Sequence, residues 1–302
     1  MIMRAAVSKP LRTVSLGLVL GATTWLSNIN SVLAGEFNHQ AFDTLLATHV
    51  KPIKGSTQVD YQGLQSQRNK LTDYLRRLSA VEQSTFEQWP YPEQLAFLIN
   101  AYNGFTLELI LNEQQKRAKK GDELESIKDI GSFFSSPWKQ SFFTLLGETQ
   151  TLDGIEHGLI RGAIDYSEPR IHFAVNCASV GCPALRNGAY TAEALDQQLD
   201  EQTRAFLSDA SRNRFDADKN RLAISSIFKW YRDDFDRAWA ARGTLAASNS
   251  LGGFLYGYRN ELNLTDAQSQ ALKAGDVDIS FLPYDWALNQ TSHKTKAAGN
   301  SR

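Results

Sequence analysis

The run from Arg170 to Pro183, RIHFAVNCASVGCP, holds both cysteines of this chain and one of its five histidines. Thiol, imidazole and amide groups on one turn can form a nucleophile with its base, a disulfide, or a metal site. These three arrangements lead to different functions, and the residue types alone leave all three open. If the protein carries out chemistry, we expect it at this run.

The alternation of side chains predicts a β-strand from Ile171 to Asn176, which places His172 and Asn176 on one face with Cys177 at its end. A neighbouring imidazolium lowers the pKa of a thiol, so His172 and Cys177 form a candidate base and nucleophile. Asn176 could orient the ring or donate to an oxyanion. The alternative is a hydrogen-bonded core histidine beside a buried, inert cysteine.

Cys177 and Cys182 are separated by four residues that include Gly181. Such a short loop can close as a disulfide, and loop-closure entropy gives that bond a worth of roughly 2 kcal/mol. The bond would remove the free nucleophile unless it is itself the reactive group. A redox dithiol is less favoured by the spacing, because the usual pair has two intervening residues.

A second group of candidates lies on a predicted helix that begins at Asp153. His157 and Arg161 are four residues apart and share one face, where they could supply a base and a guanidinium for a substrate carboxylate. The same two residues are also common on the solvated side of a helix. Cys177, Cys182 and the imidazoles of His157 and His172 have the ligand types of a zinc site, although the spacing of the two cysteines is atypical. We expect no metal and no cofactor.

The elements that must position these groups are mainly helical. The stretch from Glu93 to Leu111 is apolar almost all round and predicts a helix through the centre of the domain. Asn100 and Asn103 fall on one side of it, where buried amides need partners; they either tie the helix to the cysteine turn or bind substrate. The aromatic residues near Trp230 and Trp286 are interpreted as core.

The pattern as a whole predicts a single α+β domain over residues 35–289, mainly helical, with a small antiparallel sheet that carries the cysteine turn. Residues 290–302 are polar and are predicted to be a disordered tail. The formal net charge of −1 and the lack of a basic patch argue against nucleic acid as a partner. A small-molecule or peptide-like ligand is the expected partner.

The N-terminal residues have the layout of a secretory signal peptide. Basic Arg4, Lys9 and Arg12 precede an uncharged stretch from Thr13 to Leu26, and small or permissive residues end at Ala34. Cleavage after Ala34 would give an exported protein, periplasmic or secreted, with no membrane association.

Three motifs occur in order along the chain: EQLAFLINAYN, LDGIEHGLIR, and the run from Ile171 to Pro183. Weaker matches follow at Phe228–Tyr231 and Tyr284–Asn289. Together they resemble the domain-of-unknown-function 547 family over roughly residues 37–289. The resemblance assigns no reaction. It implies that the family's motif positions act together, namely His157, Arg161, His172, Cys177 and Cys182.

Three functional hypotheses follow. The first is an exported cysteine-dependent hydrolase or acyl or amide transferase in which Cys177 is the nucleophile and His172 or His157 the base. In it, Asn176 or Asn100 is the orienting or oxyanion group, and Arg161 holds a substrate carboxylate. The second is a non-catalytic envelope protein that binds a ligand beside a structural Cys177–Cys182 disulfide. The third is a zinc-site protein.

Overall fold

Helices dominate the architecture of this protein, whose computed structural model describes residues 36–131, 136–162, 168–241 and 251–291. The α-helices are α1 (Gln40–His49), α2 (Tyr61–Ser66), α3 (Arg68–Ser79), α4 (Gln83–Phe86), α5 (Tyr91–Ala118), α6 (Leu195–Leu207), α7 (Ile227–Trp230), α8 (Arg232–Ala241), α9 (Leu251–Gly257) and α10 (Asp266–Ala274). A π-helical segment spans Gly154–Ile160. Short 3₁₀ segments span Ile127–Asp129, Pro137–Lys139, Pro169–Phe173 and Ala217–Lys219.

The strands form three small sheets. They are β1 (Val50–Ile53), β2 (Ser56–Val59), β3 (Phe143–Leu145), β4 (Glu148–Gln150), β5 (Arg214–Asp216), β6 (Arg221–Ser225) and β7 (Asp278–Leu282). The pairs β1–β2, β3–β4 and β5–β6 are antiparallel, whereas β7 adds to β6 in parallel. The predicted fold class is confirmed: a mainly helical α+β fold with small antiparallel sheets.

The predicted position of the cysteine turn on a sheet is wrong. Residues Pro169–Phe173 form a 3₁₀ helix, in which Pro169 occupies the first turn and the Glu168 carboxylate accepts a hydrogen bond from the backbone N–H of Arg170. Ile171 and Phe173 are both buried, but they belong to two different hydrophobic clusters. The alternation therefore reflects a segment wedged between two cores rather than one face of a strand.

The helix α5 is the centre of the larger hydrophobic cluster, which also contains α1, α3 and the apolar residues around the π-helical segment. The predicted helix from Glu93 to Leu111 is confirmed and extends from Tyr91 to Ala118. Pro92 is accommodated because it lies in the first turn, where no backbone N–H is needed. The smaller cluster contains Phe173 and apolar residues of α6 to α10 and the third sheet. All described residues belong to one compact unit.

The described residues end at Thr291. The backbone N–H of Thr291 donates to the carbonyl of Val59 at 3.0 Å, and Gln290 bridges Val59 in parallel, so the first two residues of the predicted tail contact β2. The predicted signal peptide and the rest of the predicted tail lie outside the described residues. No helix of the described ranges is long and apolar enough to cross a membrane.

Candidate functional site

Both cysteines line a pocket with a volume of about 210 Å³. It opens where the two hydrophobic clusters meet, since Val175 on its wall belongs to the larger cluster and Ile227 to the smaller one. Its polar lining includes Asp153, Glu156 and His157. Six further lining side chains are aromatic: Tyr102, Trp138, Trp230, Tyr231, Tyr284 and Trp286.

Cys177 and Cys182 lie at disulfide distance, with their Cα atoms 6.1 Å apart. The backbone N–H of Cys177 donates to the Cys182 sulfur at 2.8 Å. The Cys177 sulfur lies 3.1 Å from the Ser179 hydroxyl and 3.2 Å from the Tyr284 hydroxyl. The Cys182 sulfur thus has one backbone donor, and the Cys177 sulfur has two neighbouring hydroxyl groups. Neither cysteine is free.

The loop between the cysteines is held against the C-terminal segment of the fold. The N–H groups of Val180 and Gly181 donate to the carbonyls of Ala287 and Asp285, each at 2.8 Å. A Cβ at Gly181 would lie 2.9 Å from the backbone N and O of Asp285, so only glycine permits this approach. Ala178, which is fully buried, adopts a φ of 60°, a region that costs a non-glycine residue about 1 kcal/mol or more.

Three buried asparagines fix the backbone beneath the pocket. On α5, the Asn103 amide donates to the carbonyl of Ala174 at 3.0 Å and accepts from the N–H of Asn176 at 2.8 Å. Asn100 makes the same two-way contact with the backbone of Tyr190, at 2.8 and 3.0 Å. The Asn176 side chain donates to the Pro183 carbonyl at 2.7 Å, so it shapes the cysteine turn.

His172 is buried and tied to α8. Its Nε2 lies 2.8 Å from the Asp234 carboxylate, and its ring stacks on Tyr231 with 3.8 Å between centroids. Burial lowers the pKa of His172 below its ordinary value, although Asp234 opposes this shift. Burial alone would raise the pKa of Asp234, but hydrogen bonds from His172 and Arg161 hold it well below the usual range. His172 is accordingly neutral and donates to an ionised Asp234 at neutral pH.

Arg161 connects Asp234, the partner of His172, with His157. Its guanidinium donates to both Asp234 oxygens, at 2.6 and 3.1 Å, and its Nη1 lies 2.6 Å from Nδ1 of His157. His157 Nε2 in turn lies 3.5 Å from Asp153. Because Asp234 already occupies the bidentate fork of Arg161, this guanidinium acts as an internal partner of the cluster.

The predicted helix at Asp153 forms with π geometry. The N–H of Arg161 bonds to the carbonyl of Glu156, five residues back, at 3.0 Å. Asp153 makes no side-chain cap, and Thr151 accepts the first N–H instead. The π turn places Glu156 against the pocket, where the Tyr231 hydroxyl donates to its carboxylate at 2.6 Å. Burial and then the Glu156 charge raise the pKa of Tyr231, so its hydroxyl stays protonated.

The structure divides the predicted site residues into two groups. Four of them line the pocket: Cys177, Cys182, His157 and His172. The other four lie outside the lining and contact backbone or neighbouring side chains: Asn100, Asn103, Asn176 and Arg161. Their contacts describe positioning groups. The roles in catalysis or substrate binding that were predicted for seven of the eight residues, all but Cys182, stay predictions.

The sequence did not single out Asp234 or the aromatic wall. Asp234 is 62 residues from His172 in the chain, and no local pattern connects the two. Trp230, interpreted as core from its apolar neighbours, is 48% exposed and lines the pocket, whereas nearby Phe228 is fully buried. Among the described residues, no group of three or more His, Cys, Asp or Glu side chains is arranged to hold a metal, so the zinc hypothesis gains no support.

Fold and pocket together define an α+β protein with a paired-cysteine site. The model of the family described as "Protein of unknown function, DUF547" matches residues 86–207, which supports assigning the chain to the DUF547 family. This span contains α5, the π-helical segment and the cysteine loop, but not Asp234 or the C-terminal aromatic residues. No curated protein and no solved structure matches the chain.

Proposed function

We propose that this protein binds a small organic cation in the pocket beside Cys177 and Cys182. The observation that carries the proposal is the composition of the wall: six aromatic rings and the two carboxylates of Asp153 and Glu156, with no Lys or Arg among the described residues that line it. Aromatic faces and carboxylates both attract positive charge, and a partly desolvated site strengthens both effects. A volume of about 210 Å³ suits a ligand of few heavy atoms.

The rings of this pocket already bind cations of the chain itself. The Lys128 ammonium lies 4.9 Å from the centroid of Trp286, and the Arg161 guanidinium lies 5.1 Å from that of Tyr231. The Arg161 charge is balanced by Asp234, so it does not cancel the carboxylates on the wall. Trp230, Tyr284 and Trp286 form a continuous aromatic surface, with centroids 4.5 to 5.8 Å apart. In this proposal the surface receives the ligand, and the paired cysteines, one of which contacts Tyr284, keep the adjoining part of the pocket rigid.

The test compares choline with 3,3-dimethyl-1-butanol, its uncharged analogue of nearly the same shape, by calorimetry and tryptophan fluorescence. We expect choline to bind about tenfold more tightly or better, because only the charged compound gains cation–π energy. Trp230→Ala should weaken choline binding about fivefold. Tyr91→Ala, an exposed aromatic residue remote from the pocket lining, is the control. Equal affinities for the two compounds, or loss of binding in the control alone, would contradict the proposal.

A second candidate is acyl or amide transfer through Cys177, the first hypothesis from the sequence. It is favoured by the presence of His157 and His172 in the lining of the same pocket. It requires a free thiol, and the contacts of the Cys177 sulfur are hydroxyls rather than an imidazole. Intact mass after alkylation, with and without reductant, shows whether a thiol exists. A complete bond that survives mild reductant excludes this candidate, whereas thiol-dependent hydrolysis of p-nitrophenyl acetate, lost in Cys177→Ala, supports it.

We also propose that the protein is exported, on the strength of the basic and apolar leader layout ending at Ala34. Export would also suit a stable cysteine pair, because the periplasm and the extracellular medium are oxidising. N-terminal sequencing of protein recovered from the periplasm or the medium tests this directly. A mature chain that begins at Gly35 supports the proposal, and an uncleaved chain retained in the cytoplasm contradicts it.

A further inference from the structure

The two sulfurs of the pair differ in their access to the pocket. Both line it, but Cys177 is half-buried whereas Cys182 is 4% exposed. A reagent that enters the pocket therefore meets Cys177 first. Thiol–disulfide exchange depends on which sulfur can be attacked and on how well the other sulfur leaves as a thiolate.

We propose that Cys177 and Cys182 form a thiol–disulfide exchange centre, in which a small external dithiol attacks Cys177 from the pocket and Cys182 is the leaving sulfur. This activity goes beyond ligand binding and does not depend on it. The Cys182 sulfur already accepts the backbone N–H of Cys177 at 2.8 Å. A thiolate formed there keeps this donor, and hydrogen bonds to a charged acceptor are stronger than those to a neutral one.

The Cys177 sulfur has its own donors for the second half of the exchange. The hydroxyls of Ser179 and Tyr284 lie 3.1 and 3.2 Å from it and are 3.2 Å from each other. Burial raises the pKa of Tyr284, so its hydroxyl remains a donor at neutral pH. A thiolate at Cys177 would therefore be solvated by two hydroxyl groups while it waits for a proton or a new partner.

The exchange balances as follows. The dithiol's thiolate forms a bond to the Cys177 sulfur, the bond between Cys177 and Cys182 breaks, and its electron pair remains on Cys182. The second thiolate of the reagent then attacks the reagent sulfur of this mixed disulfide and releases Cys177. The reagent leaves oxidised as a disulfide, and the protein pair is reduced to two thiols after it takes up two protons.

The hydrogen bonds that hold the loop do not depend on the disulfide. Its attachment to the C-terminal segment uses the backbone N–H groups of Val180 and Gly181, and the N–H of Cys182 donates to the carbonyl of Ser179 at 3.1 Å. None of these bonds involves a sulfur. The strained Ala178 conformation directly after Cys177 is fixed by a hydrogen bond to the Asn176 side chain at 2.9 Å. The reduced thiols would therefore stay close enough to pair again.

The experiment measures reduction of the native full chain by dithiothreitol and reoxidation by glutathione disulfide, followed by alkylation and intact mass. We expect reversible reduction at a rate independent of urea below the unfolding transition. In single variants, Cys177 in Cys182→Ser should react with glutathione disulfide about tenfold faster or more than Cys182 in Cys177→Ser, because its sulfur is the accessible one. Tyr284→Phe should slow the reaction of Cys177 roughly fivefold through loss of one hydrogen bond, and Tyr91→Phe should not.

Two results would overturn the proposal. One is reduction only at urea concentrations that unfold the protein, which would define a structural disulfide. The other is equal reactivity of the two cysteines in the single variants. Choline binding is measured separately on the oxidised protein, so failure of the exchange activity and failure of the binding proposal are distinguished.

Discussion

His39 provides the sharpest quantitative test of the structure, because a buried neutral imidazole makes folding depend on pH. It directly precedes α1 and is 5% exposed, with Nδ1 bonded to the Tyr74 hydroxyl at 2.7 Å and its ring 4.9 Å from that of Phe37. Burial, and then the nearby charge of Arg77, lower the pKa of His39 from 6.5 to about 3.

The sign and size of the effect follow from proton linkage. The unfolded chain protonates this ring below a pH of about 6.5, whereas the folded protein does so only near pH 3. The contribution to stability is therefore complete above the unfolded pKa and is lost as the pH falls below it, by about 1.4 kcal/mol per pH unit. Between pH 7 and pH 5, the free energy of unfolding should decrease by about 2 kcal/mol from His39 alone.

The assay is urea denaturation of the wild type and of His39→Asn at pH 7 and pH 5. Asparagine can keep the hydrogen bond to Tyr74 and does not titrate. We expect the loss between the two pH values to be about 2 kcal/mol smaller in the variant. Burial also lowers the pKa of His49 and of His172, so both proteins should keep a shared pH dependence that cancels in the difference. Equal losses, or a larger loss in the variant, would refute the assignment of His39 as a buried neutral ring.

Three further perturbations address the site. Reducing the Cys177–Cys182 bond should lower the unfolding free energy by roughly 2 kcal/mol, measured by urea denaturation, because the closed loop is short; the double Cys→Ser variant should show no reductant effect. Gly181→Ala should lower the unfolding free energy by about 1–3 kcal/mol, because the added Cβ clashes with Asp285. Gly158→Ala is the control, since Gly158 has open space around it and the substitution should not lower the stability of the protein. Asp234→Asn should lower the unfolding free energy by roughly 2–4 kcal/mol, because His172 and Arg161 lose a charged acceptor. Asp233→Asn is the exposed control, and an equally large loss of stability there would contradict the argument.

Local patterns predicted the elements whose signals are themselves local. The apolar helix α5 was predictable, because the run of apolar residues that indicates it lies within the helix itself. The segment from Ile171 to Asn176 was predicted wrongly. Its alternating apolar residues serve two cores on opposite sides, and a period of two cannot distinguish that arrangement from a strand.

Four of the eight candidate residues line the pocket, but the contacts that connect them could not be predicted from the sequence. The sequence brought Cys177, Cys182, His157 and His172 into consideration, and the structure places all four around one pocket. It could not supply Asp234, because that carboxylate reaches His172 only through packing of α8 against the segment Pro169–Phe173. Nor did it indicate the π turn that directs Glu156 to the pocket, since one inserted residue in a helix leaves no periodic signature over seven residues.

The attachment of the cysteine loop to Asp285 and Ala287 has a consequence for synthesis of the protein. Both partners lie more than 100 residues after Cys177 in the chain, as does Trp286 between them. The contact of the Cys177 sulfur with the Tyr284 hydroxyl, for example, joins residues 107 positions apart. During translation the two thiols emerge long before the segment from Asp285 to Ala287, to which their loop is bonded. The pocket therefore reaches its final form only after the segment from Asp285 to Ala287 has been synthesised, and oxidation of the thiols can precede the docking of that segment.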